Sequence, residues 1–333
     1  MATSESLTSK TGEPTPRWDS RRLLRFMGEN GFIVIFVLWA VFLSLTTTSF
    51  LTPNNVFTVL RQAAIIGIVA IGAHLIILLG NIDLSPASTL TLSGVLMAGL
   101  LVNNGLSPLV AGVSALAVGA FVGLVNGLIV TLLKINAIIT TLGTASILEG
   151  IAFIYTKGKT IFGDEIDPIE VLSRGRLLDF LPVPVIILFA LYGLAYLLLK
   201  YTTFGAHIFA VGSNEKAAWL SGVPVDRVKL LAFVLSGVLA GFGGIMQVAR
   251  QGTATGGMGA DFLFPILTAV VLGGASLTGG RGKILNTLVA AIFLTTITNG
   301  LILLDVDIYA QRIVSGAILV IALSLDRLRS ARV

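Results

Sequence analysis

A series of long apolar runs restricts the fold of this chain more than any other feature of its sequence. A helix needs about 20 mostly apolar residues to cross the hydrocarbon core of a bilayer. Runs of roughly that length occur at 31–50, 56–80, 82–102, 107–133, 137–155, 181–199, 230–248, 262–277, 284–304 and 308–325. The sequence therefore predicts an all-α integral membrane protein with about ten transmembrane helices.

Composition agrees with lipid as the solvent for most of the chain. Of the 333 residues, 55% are hydrophobic and 12% are charged, whereas soluble proteins carry about 25% charged residues. The chain has no Cys, which excludes disulfides, thiolate metal sites and Cys nucleophiles. His74 and His207 lie far apart in the sequence, and no metal-ligand spacing occurs. We therefore expect no metal site, and the net charge of +5 indicates membrane orientation rather than nucleic-acid binding.

The distribution of basic residues orients the predicted helices, because cytoplasmic segments of membrane proteins are enriched in Lys and Arg. With ten spans and the N-terminus inside, fifteen of the 22 Lys and Arg residues fall on the inner side and the other seven do not. This arrangement predicts cytoplasmic tails at 1–29 and 327–333, flanking a transmembrane domain at 30–326. It places a long loop at 201–229 in the cytoplasm and the charged loop 157–179 outside.

The loop 201–229 is a mostly polar interruption that contains the signals of one short helix. They are, in order, a cap at Ser213 or Asn214, an acidic first turn at Glu215, a body of Ala217, Ala218, Trp219 and Leu220, and a stop at Gly222 and Pro224. A two-turn helix is not stable alone in water, so it must pack against something. A soluble partner protein is one interpretation, and the membrane surface is the other. The small number of Lys and Arg residues on the helix favours the partner.

Polar residues inside the predicted bundle are candidates for solute contact, because charges within spans are costly. Asp83 opens the third run beside Asn81 and Ser85. These side chains either form a polar lining for a hydroxylated solute or cap a broken helix within the bundle. Glu149 is interpreted as a structural partner of Arg61 or Arg312, with a role as a solute ligand as the alternative. The uncharged polar residues of the later spans include Asn126, Thr140 and Asn299, and interhelical hydrogen bonding is their default role.

Catalytic patterns are missing from the sequence. A phosphate-binding loop needs G-x-x-x-x-G-K-[ST] after a strand, and the Gly158-Lys159-Thr160 segment has Phe153 where the first Gly is required. Neither G-x-S-x-G nor H-E-x-x-H occurs. We therefore expect no catalytic residues and no covalent chemistry.

The loop helix and several shorter segments together resemble one protein family. The segment Phe204-Gly205…Ala210-Val211-Gly212-Ser213-Asn214-Glu215…Ala217-Ala218…Ser221-Gly222-Val223 resembles the cytoplasmic coupling loop of the permease subunits of bacterial ABC sugar importers of the ribose, xylose and autoinducer-2 type. Further similar segments are Asn81-Ile82-Asp83-Leu84-Ser85, Asn126-Gly127-Leu128, Thr141-Leu142-Gly143-Thr144, the run from Val271 to Gly282, and Asn299-Gly300-Leu301. The resemblance extends in order from about Asn54 to Asp326.

The resemblance implies a multi-pass protein of the bacterial inner membrane that assembles with several partners. These are a second permease subunit (a homodimer or a heterodimer), two cytoplasmic ATP-binding subunits that hold ATP and Mg, and an extracytoplasmic binding protein that delivers a sugar. It implies no cofactor on this chain. The predicted ATPase-coupling residues are Gly205, Asn214, Glu215, Ala217, Ala218, Trp219, Leu220, Ser221 and Gly222. Of these, Ala217, Ala218, Trp219 and Leu220 are expected to form an exposed face that fits a groove on the partner. The predicted translocation-pathway residues are Asn81, Asp83, Ser85, Asn126, Thr140 and Asn299.

Two interpretations stay open at the level of sequence. The mixed charges of the 157–179 loop either steer a binding protein or form an ordinary solvated loop. An ion-driven secondary transporter or channel is the alternative function. It would favour several intramembrane acids or histidines for proton relay, whereas Asp83 and Glu149 are the main acids here.

Overall fold

The computed structural model describes residues 20–178 and 180–330. Most of the predicted tail 1–29 lies outside the described residues, and so do residues 331–333. The first helix begins at Ser20, inside the predicted tail and ahead of the predicted first span at 31–50.

Most of the described residues are helical. Their helices are α1 (Ser20–Thr46), α2 (Pro53–Leu78), α3 (Pro86–Val102), α4 (Pro108–Leu132), α5 (Ala137–Thr156), α6 (Asp167–Arg174), α7 (Val183–Tyr201), α8 (Thr203–Ser213), α9 (Glu215–Leu220), α10 (Val225–Gln251), α11 (Leu263–Leu272), α12 (Ile284–Leu303) and α13 (Ile308–Ser330). Four two-residue strands accompany them in the described chain: β1 (Ile161–Phe162), β2 (Arg176–Leu177), β3 (Leu181–Pro182) and β4 (Thr253–Ala254).

Six helices within the described residues are long and apolar enough to cross a membrane, namely α2, α4, α5, α7, α10 and α12. Shorter apolar helices occupy four further runs, at Phe32–Thr46, Pro86–Val102, Leu263–Leu272 and Ile308–Ile321. The structure therefore confirms a helical protein with multiple candidate spans.

Several helices have different ends from the predicted runs, and Pro and Gly explain the differences. The third helix begins at Pro86 rather than at residue 82, since Pro is favoured in the first turn of a helix. Helix α11, in the eighth predicted run (262–277), ends at Leu272, because Gly273 and Gly274 follow and Gly274 has a φ of +86°. Helices α3 and α11 are therefore shorter than the predicted runs, because the remaining residues of each run have irregular backbone.

The core forms where α10 crosses α2, α3 and α4 at positions without side chains. A Cβ added at Gly237 of α10 would overlap the carbonyl oxygen of Gly119 in α4. A Cβ at Gly244 would overlap the carbonyl oxygen of Leu90 in α3, and one at Gly72 of α2 would lie 2.7 Å from the Cα of Ser236. Small residues allow helices in lipid to approach this closely.

The segment 157–179, predicted as a charged loop, contains regular structure. Its strand β1 pairs antiparallel with β4, which places Ile161 opposite Ala254. Helix α6 packs on the end of α10: Ser173 Oγ donates to the carbonyl of Met246 at 2.6 Å, and Arg174 donates to the carbonyl of Arg250 at 3.0 Å. The charge pattern of the sequence did not indicate these contacts, because they join residues more than 70 positions apart.

The segment 201–229 contains more helix than the sequence predicted. Helix α7 continues to Tyr201, α8 follows after the cap residue Thr202, and α10 begins at Val225 rather than at the predicted residue 230. Thr202 Oγ1 accepts the N–H of Gly205 at 3.2 Å, which satisfies a free donor of the first turn of α8. The prediction of one short helix in this segment was therefore incomplete, although that helix is present as α9.

The close crossing of α4 and α10 yields a test of stability with a matched control. Gly237→Ala should destabilise the protein by about 1–3 kcal/mol, because the new methyl group collides with backbone atoms of α4. Gly193→Ala in α7 should be neutral or slightly stabilising, since nothing lies within 4 Å of a Cβ added at Gly193 and Ala favours helix. Thermal unfolding of both variants in the same detergent measures the difference. Equal melting temperatures would contradict the close backbone contact.

Candidate functional site

Helix α9 is held at both ends by the signals that the sequence predicted. Asn214 Oδ1 accepts the N–H of Ala217 at 2.9 Å and caps the N-terminus. Gly222 has a φ of +84°, and the N–H of Val223 donates to the carbonyl of Ala218 at 3.0 Å. This left-handed residue ends the helix where a side chain would be strained. Of the two predicted cap residues, Asn214 and not Ser213 caps α9, and the predicted stop at Gly222 is confirmed.

The two faces of α9 differ in burial. Trp219 and Leu220 are 66% and 69% exposed, so the helix presents a large apolar surface outward. Ala218, in contrast, is buried and packs with Ile208, Val211 and Val225. The expectation that Ala218 belongs to the exposed face was therefore wrong. Successive residues of a helix lie 100° apart, so Ala218 faces the protein when Trp219 faces outward.

Two ion pairs hold the segment that contains α9. Glu215, the first residue of α9, pairs with Lys229 of α10 at 2.7 Å, and the Lys229 side chain is only 11% exposed. Lys134, which follows α4, pairs with Asp226 of α10 at 2.7 Å, and both of these side chains are more than half exposed. The sequence predicted Glu215 only as a favourable charge at a helix N-terminus. The spacing of fourteen residues between Glu215 and Lys229 gave no local signal for the pair.

A broad groove of about 760 Å³ lies beside α9. Trp219 and Val223 give it an apolar wall, and Glu215, Lys134 and Asp226 of the two ion pairs also line it. Its remaining lining residues include Lys216, Gly222, Pro224 and Arg227. An open surface with an exposed aromatic residue, apolar walls and charges at the rim suits a protein partner better than a small molecule.

The other residues of the predicted coupling set have different surroundings. Gly205 is buried at the junction of α7 and α8, where an added Cβ would overlap the carbonyl oxygen of Leu199. Ser221 is exposed, and its Oγ donates to the carbonyl of Ala217 at 2.9 Å. Gly205 therefore allows the sharp turn into α8, whereas Ala217 and Ser221 lie on the surface.

Three of the predicted pathway residues meet in one buried polar cluster. Asp83 Oδ1 accepts the N–H of Ser85 at 2.9 Å and its hydroxyl at 2.7 Å. Asn126 Nδ2 of α4 donates to Ser85 Oγ at 3.0 Å, and Thr144 Oγ1 of α5 donates to Asn126 Oδ1 at 2.7 Å. Ser236 of α10 completes the cluster at 3.5 Å from Asp83 Oδ2. The cluster therefore joins the start of α3 to α4, α5 and α10.

Burial separates this cluster from any open path within the chain. Asp83, Ser85 and Asn126 are exposed by 4%, 2% and 0%. Each polar atom in the chain of hydrogen bonds has a partner, as buried polar groups require. Sequence reasoning considered the uncharged polar residues of α5 but did not place Thr144 or Ser236 with Asp83, since only the folded chain brings them together.

The remaining predicted pathway residues lie elsewhere. Asn299 of α12 forms a reciprocal pair with Asn55 of α2, at 2.8 and 2.9 Å. Asn81 donates to the carbonyl of Leu79 at 3.2 Å and is half-buried. Thr140 is buried one turn before Thr144, which donates to its carbonyl at 3.0 Å. The structure thus groups Asp83, Ser85 and Asn126, with Thr140 adjacent, and leaves Asn299 in a separate contact.

Glu149 does not have the partners that the sequence suggested. Arg312 pairs with Asp261 at 3.0 Å. Among the described residues, no Lys or Arg nitrogen lies within 4 Å of the Glu149 carboxylate, whose residue is exposed on α5. The interpretation of Glu149 as a structural partner of Arg61 or Arg312 was therefore wrong.

Comparison with known proteins agrees with the resemblance. Residues 55–323 match the family described as the branched-chain amino acid transport system / permease component. The chain is 38% identical over 301 residues to the ribose import permease protein RbsC of Bacillus subtilis (strain 168), covering 90% of this chain and 92% of that protein. No solved structure matches the chain.

Two further relatives transport other sugars, according to their names. The L-arabinose ABC transporter permease protein AraH of Azospirillum brasilense is 33% identical over 308 residues, covering 92% of this chain and 89% of that protein. The D-allose transport system permease protein AlsC of Escherichia coli (strain K12) is 32% identical over 300 residues, covering 90% and 91%. Because both the family match and these relatives extend over most of its length, the chain belongs to the family of ABC transport permease components, which confirms the resemblance seen in its sequence.

Proposed function

We propose that this chain is the membrane permease subunit of an ATP-binding-cassette importer that moves a monosaccharide, or a similar small polyol-like solute, across the bacterial inner membrane. Relatives named for ribose, arabinose and allose support the substrate class. The exposed apolar surface of α9 is the observation that supports the subunit role. A capped and anchored helix that leaves Trp219 and Leu220 in solvent is suited to insertion into a groove on a partner.

The proposed partner at α9 is a cytoplasmic ATPase subunit, one of two that hold ATP and Mg. In this proposal the chain itself has no ATP-binding site and is not an enzyme. Its Gly158-Lys159-Thr160 segment follows the end of α5, whereas a phosphate-binding loop connects a strand to a helix. Energy therefore reaches the permease by contact, when closure of the ATPase subunits displaces α9.

In the proposed membrane arrangement, ten crossings place both termini and the segment 201–229 in the cytoplasm. The four shorter apolar helices complete the crossings together with flanking residues. The excess of basic residues on the assigned inner side supports this orientation. The segment 157–179 then faces an extracytoplasmic binding protein that delivers the solute, and a second permease subunit forms the other half of the path.

The predicted pathway residues have two kinds of role in this proposal. Asp83, Ser85 and Asn126 are sealed within the chain, so they hold α3 against α4, α5 and α10 beside the path. Asn81 is half-buried and Asn299 is bonded to Asn55. Among the predicted pathway residues, Asn81 is therefore the one that can contact a solute while the hydrogen bonds of the buried cluster stay intact.

The subunit role is tested by reconstituting the chain with its ATPase subunits and binding protein in vesicles. We expect solute uptake that requires ATP hydrolysis. Trp219→Ala should weaken retention of the ATPase subunit about tenfold or more, because truncating a central aromatic anchor typically costs about 2 kcal/mol or more. Co-purification and ATP-driven uptake measure the effect.

A matched control for Trp219→Ala is Leu177→Ala in β2, which removes a similarly exposed apolar side chain from the opposite end of the protein. It should leave ATPase retention unchanged. Uptake driven by an ion gradient alone, without ATPase subunits, would contradict the importer and support a secondary transporter.

The ion pair between α9 and α10 predicts an asymmetric response to mutation. Glu215→Gln leaves the ammonium of Lys229 buried without its partner, whereas Lys229→Met leaves a half-exposed carboxylate that water can solvate. We therefore expect Glu215→Gln to lower both the melting temperature and the uptake per ATP hydrolysed more than Lys229→Met does. Asp226→Asn, in the exposed pair with Lys134, should change stability by less than about 0.5 kcal/mol. Equal effects at the two pairs would contradict the anchoring role of Lys229.

The buried cluster predicts how stability and transport change together. Asp83→Asn replaces an acceptor of two hydrogen bonds from Ser85 with a group that can also present donors, so the cluster loses optimal pairing. We expect a lower melting temperature, by an amount that corresponds to about 1–3 kcal/mol, and a matching loss of uptake. Asn81→Ala is the comparison, and it should change uptake without a loss of stability. A raised KM for uptake in Asp83→Asn at full thermal stability would instead show direct solute contact.

A further inference from the structure

The segment 273–283, which connects α11 to α12, folds into a compact turn that is rich in glycine. Five of its eleven residues are Gly. The N–H of Ser276 donates to the carbonyl of Arg281 at 2.9 Å and closes the turn. Three of the glycines have φ values between +72° and +86°, a region that favours glycine, namely Gly274, Gly279 and Gly280. The segment is therefore a defined turn and not an extended linker.

The turn touches the ends of two other helices through backbone atoms. The N–H of Gly280 donates to the carbonyl of Leu78, the last residue of α2, at 2.9 Å. A Cβ added at Gly279 would lie 2.7 Å from the carbonyl oxygen of Gly212 in α8 and 2.8 Å from the backbone nitrogen of Gly80. A Cβ added at Gly212 would overlap the carbonyl oxygen of Leu78. Three backbones therefore meet here without a side chain between them, and we call this contact the glycine junction, formed by 78–80, 212–213 and 279–280.

The glycine junction lies between α9 and the buried polar cluster. Gly212 is two residues before Asn214, which caps α9. Gly80 is three residues before Asp83, whose carboxylate accepts two hydrogen bonds from Ser85 within the cluster. A displacement of α9 must therefore either move the junction with it or separate the backbones that meet there. Closely packed backbones transmit a displacement, because protein interiors have low compressibility.

We propose that the turn 273–283 is a mechanical relay that holds the end of α8 against the end of α2, so that a displacement of α9 reaches the start of α3. Gly279 is the positioning residue on which the relay depends, because it lies between Gly212 and Gly80 and has no room for a Cβ. The proposal rests on the transport function proposed above. This route is separate from the ion pair of α9 with α10, because it consists of backbone contacts and does not include Lys229.

Three Gly→Ala variants separate the contact from backbone strain. Gly279, Gly80 and Gly274 have similar φ values, of +85°, +73° and +86°, so Ala is strained at each of them. Their surroundings differ, because a Cβ at Gly80 would lie 3.3 Å from the carbonyl oxygen of Thr278, whereas nothing lies within 4 Å of a Cβ at Gly274. Gly274→Ala is therefore the matched control, which has the strain but not the contact.

Each variant is reconstituted with the ATPase subunits and the binding protein, and uptake per ATP hydrolysed is measured. Gly279→Ala should lower this ratio about fivefold or more while ATPase retention stays normal, because the new methyl group pushes α8 away from α2. Gly80→Ala should lower the ratio by a smaller factor. Gly274→Ala should keep the wild-type ratio at a reduced melting temperature. A merely structural role of Gly279 would lower the melting temperature without changing the ratio.

Equal ratios in Gly279→Ala and Gly274→Ala would overturn the relay. If Gly279→Ala does not assemble, Gly80→Ala decides by the same comparison with Gly274→Ala, because its new contact is milder.

Gly212→Ala gives a second test from the side of α8, where the helical backbone adds no strain. It should lower the ratio as Gly279→Ala does, and Gly193→Ala in α7 is its control. Wild-type transporter in the same vesicles separates the two levels of inference. Failure of ATP-driven uptake there contradicts the proposed function, whereas a full ratio in both Gly279→Ala and Gly212→Ala contradicts only the relay.

Discussion

The direct contact between the backbones of α10 and its neighbours is the constraint on which the rest of this structure depends. Lipid tails are as apolar as Leu, so helices in a membrane gain little from hydrophobic burial and rely on close packing instead. Gly237 and Gly244 of α10 meet the backbones of α4 and α3 where any side chain would collide. Helix α10 therefore lies at the centre of the bundle, in contact with α4, α3 and α2.

The central position of α10 connects the two regions that the sequence singled out. Near its N-terminal end, Lys229 is paired with Glu215 of α9, and seven residues later Ser236 lies against Asp83. Asp83 in turn is bonded to Ser85, and Ser85 to Asn126. These contacts would transmit a displacement of α9 along α10 to the start of α3, and through Asn126 to α5.

Local signals and long-range contacts account for what the sequence could and could not predict. Asn214 and Gly222 were identified correctly as the ends of α9, because caps depend on residues a few positions apart. The inward direction of Ala218, the pair of Glu215 with Lys229, and the pairing of β1 with β4 all depend on residues that folding brings together. Helix α8 was missed because its 11 residues are too few for a span.

The sequence analysis placed Asp83 among the pathway residues and Glu149 in a structural ion pair, and the structure gives the two acids different surroundings from those. Asp83 receives two hydrogen bonds from Ser85 and is 4% exposed, so its polarity is satisfied within one chain. Glu149 lies on the least covered span, without a cation nearby in the described residues. An acidic residue that has no cation partner among the described residues is unfavourable in lipid and calls for water or another subunit beside it. The buried acid therefore belongs to the fold of the single chain, whereas the exposed acid contributes no ion pair to the described part of that fold.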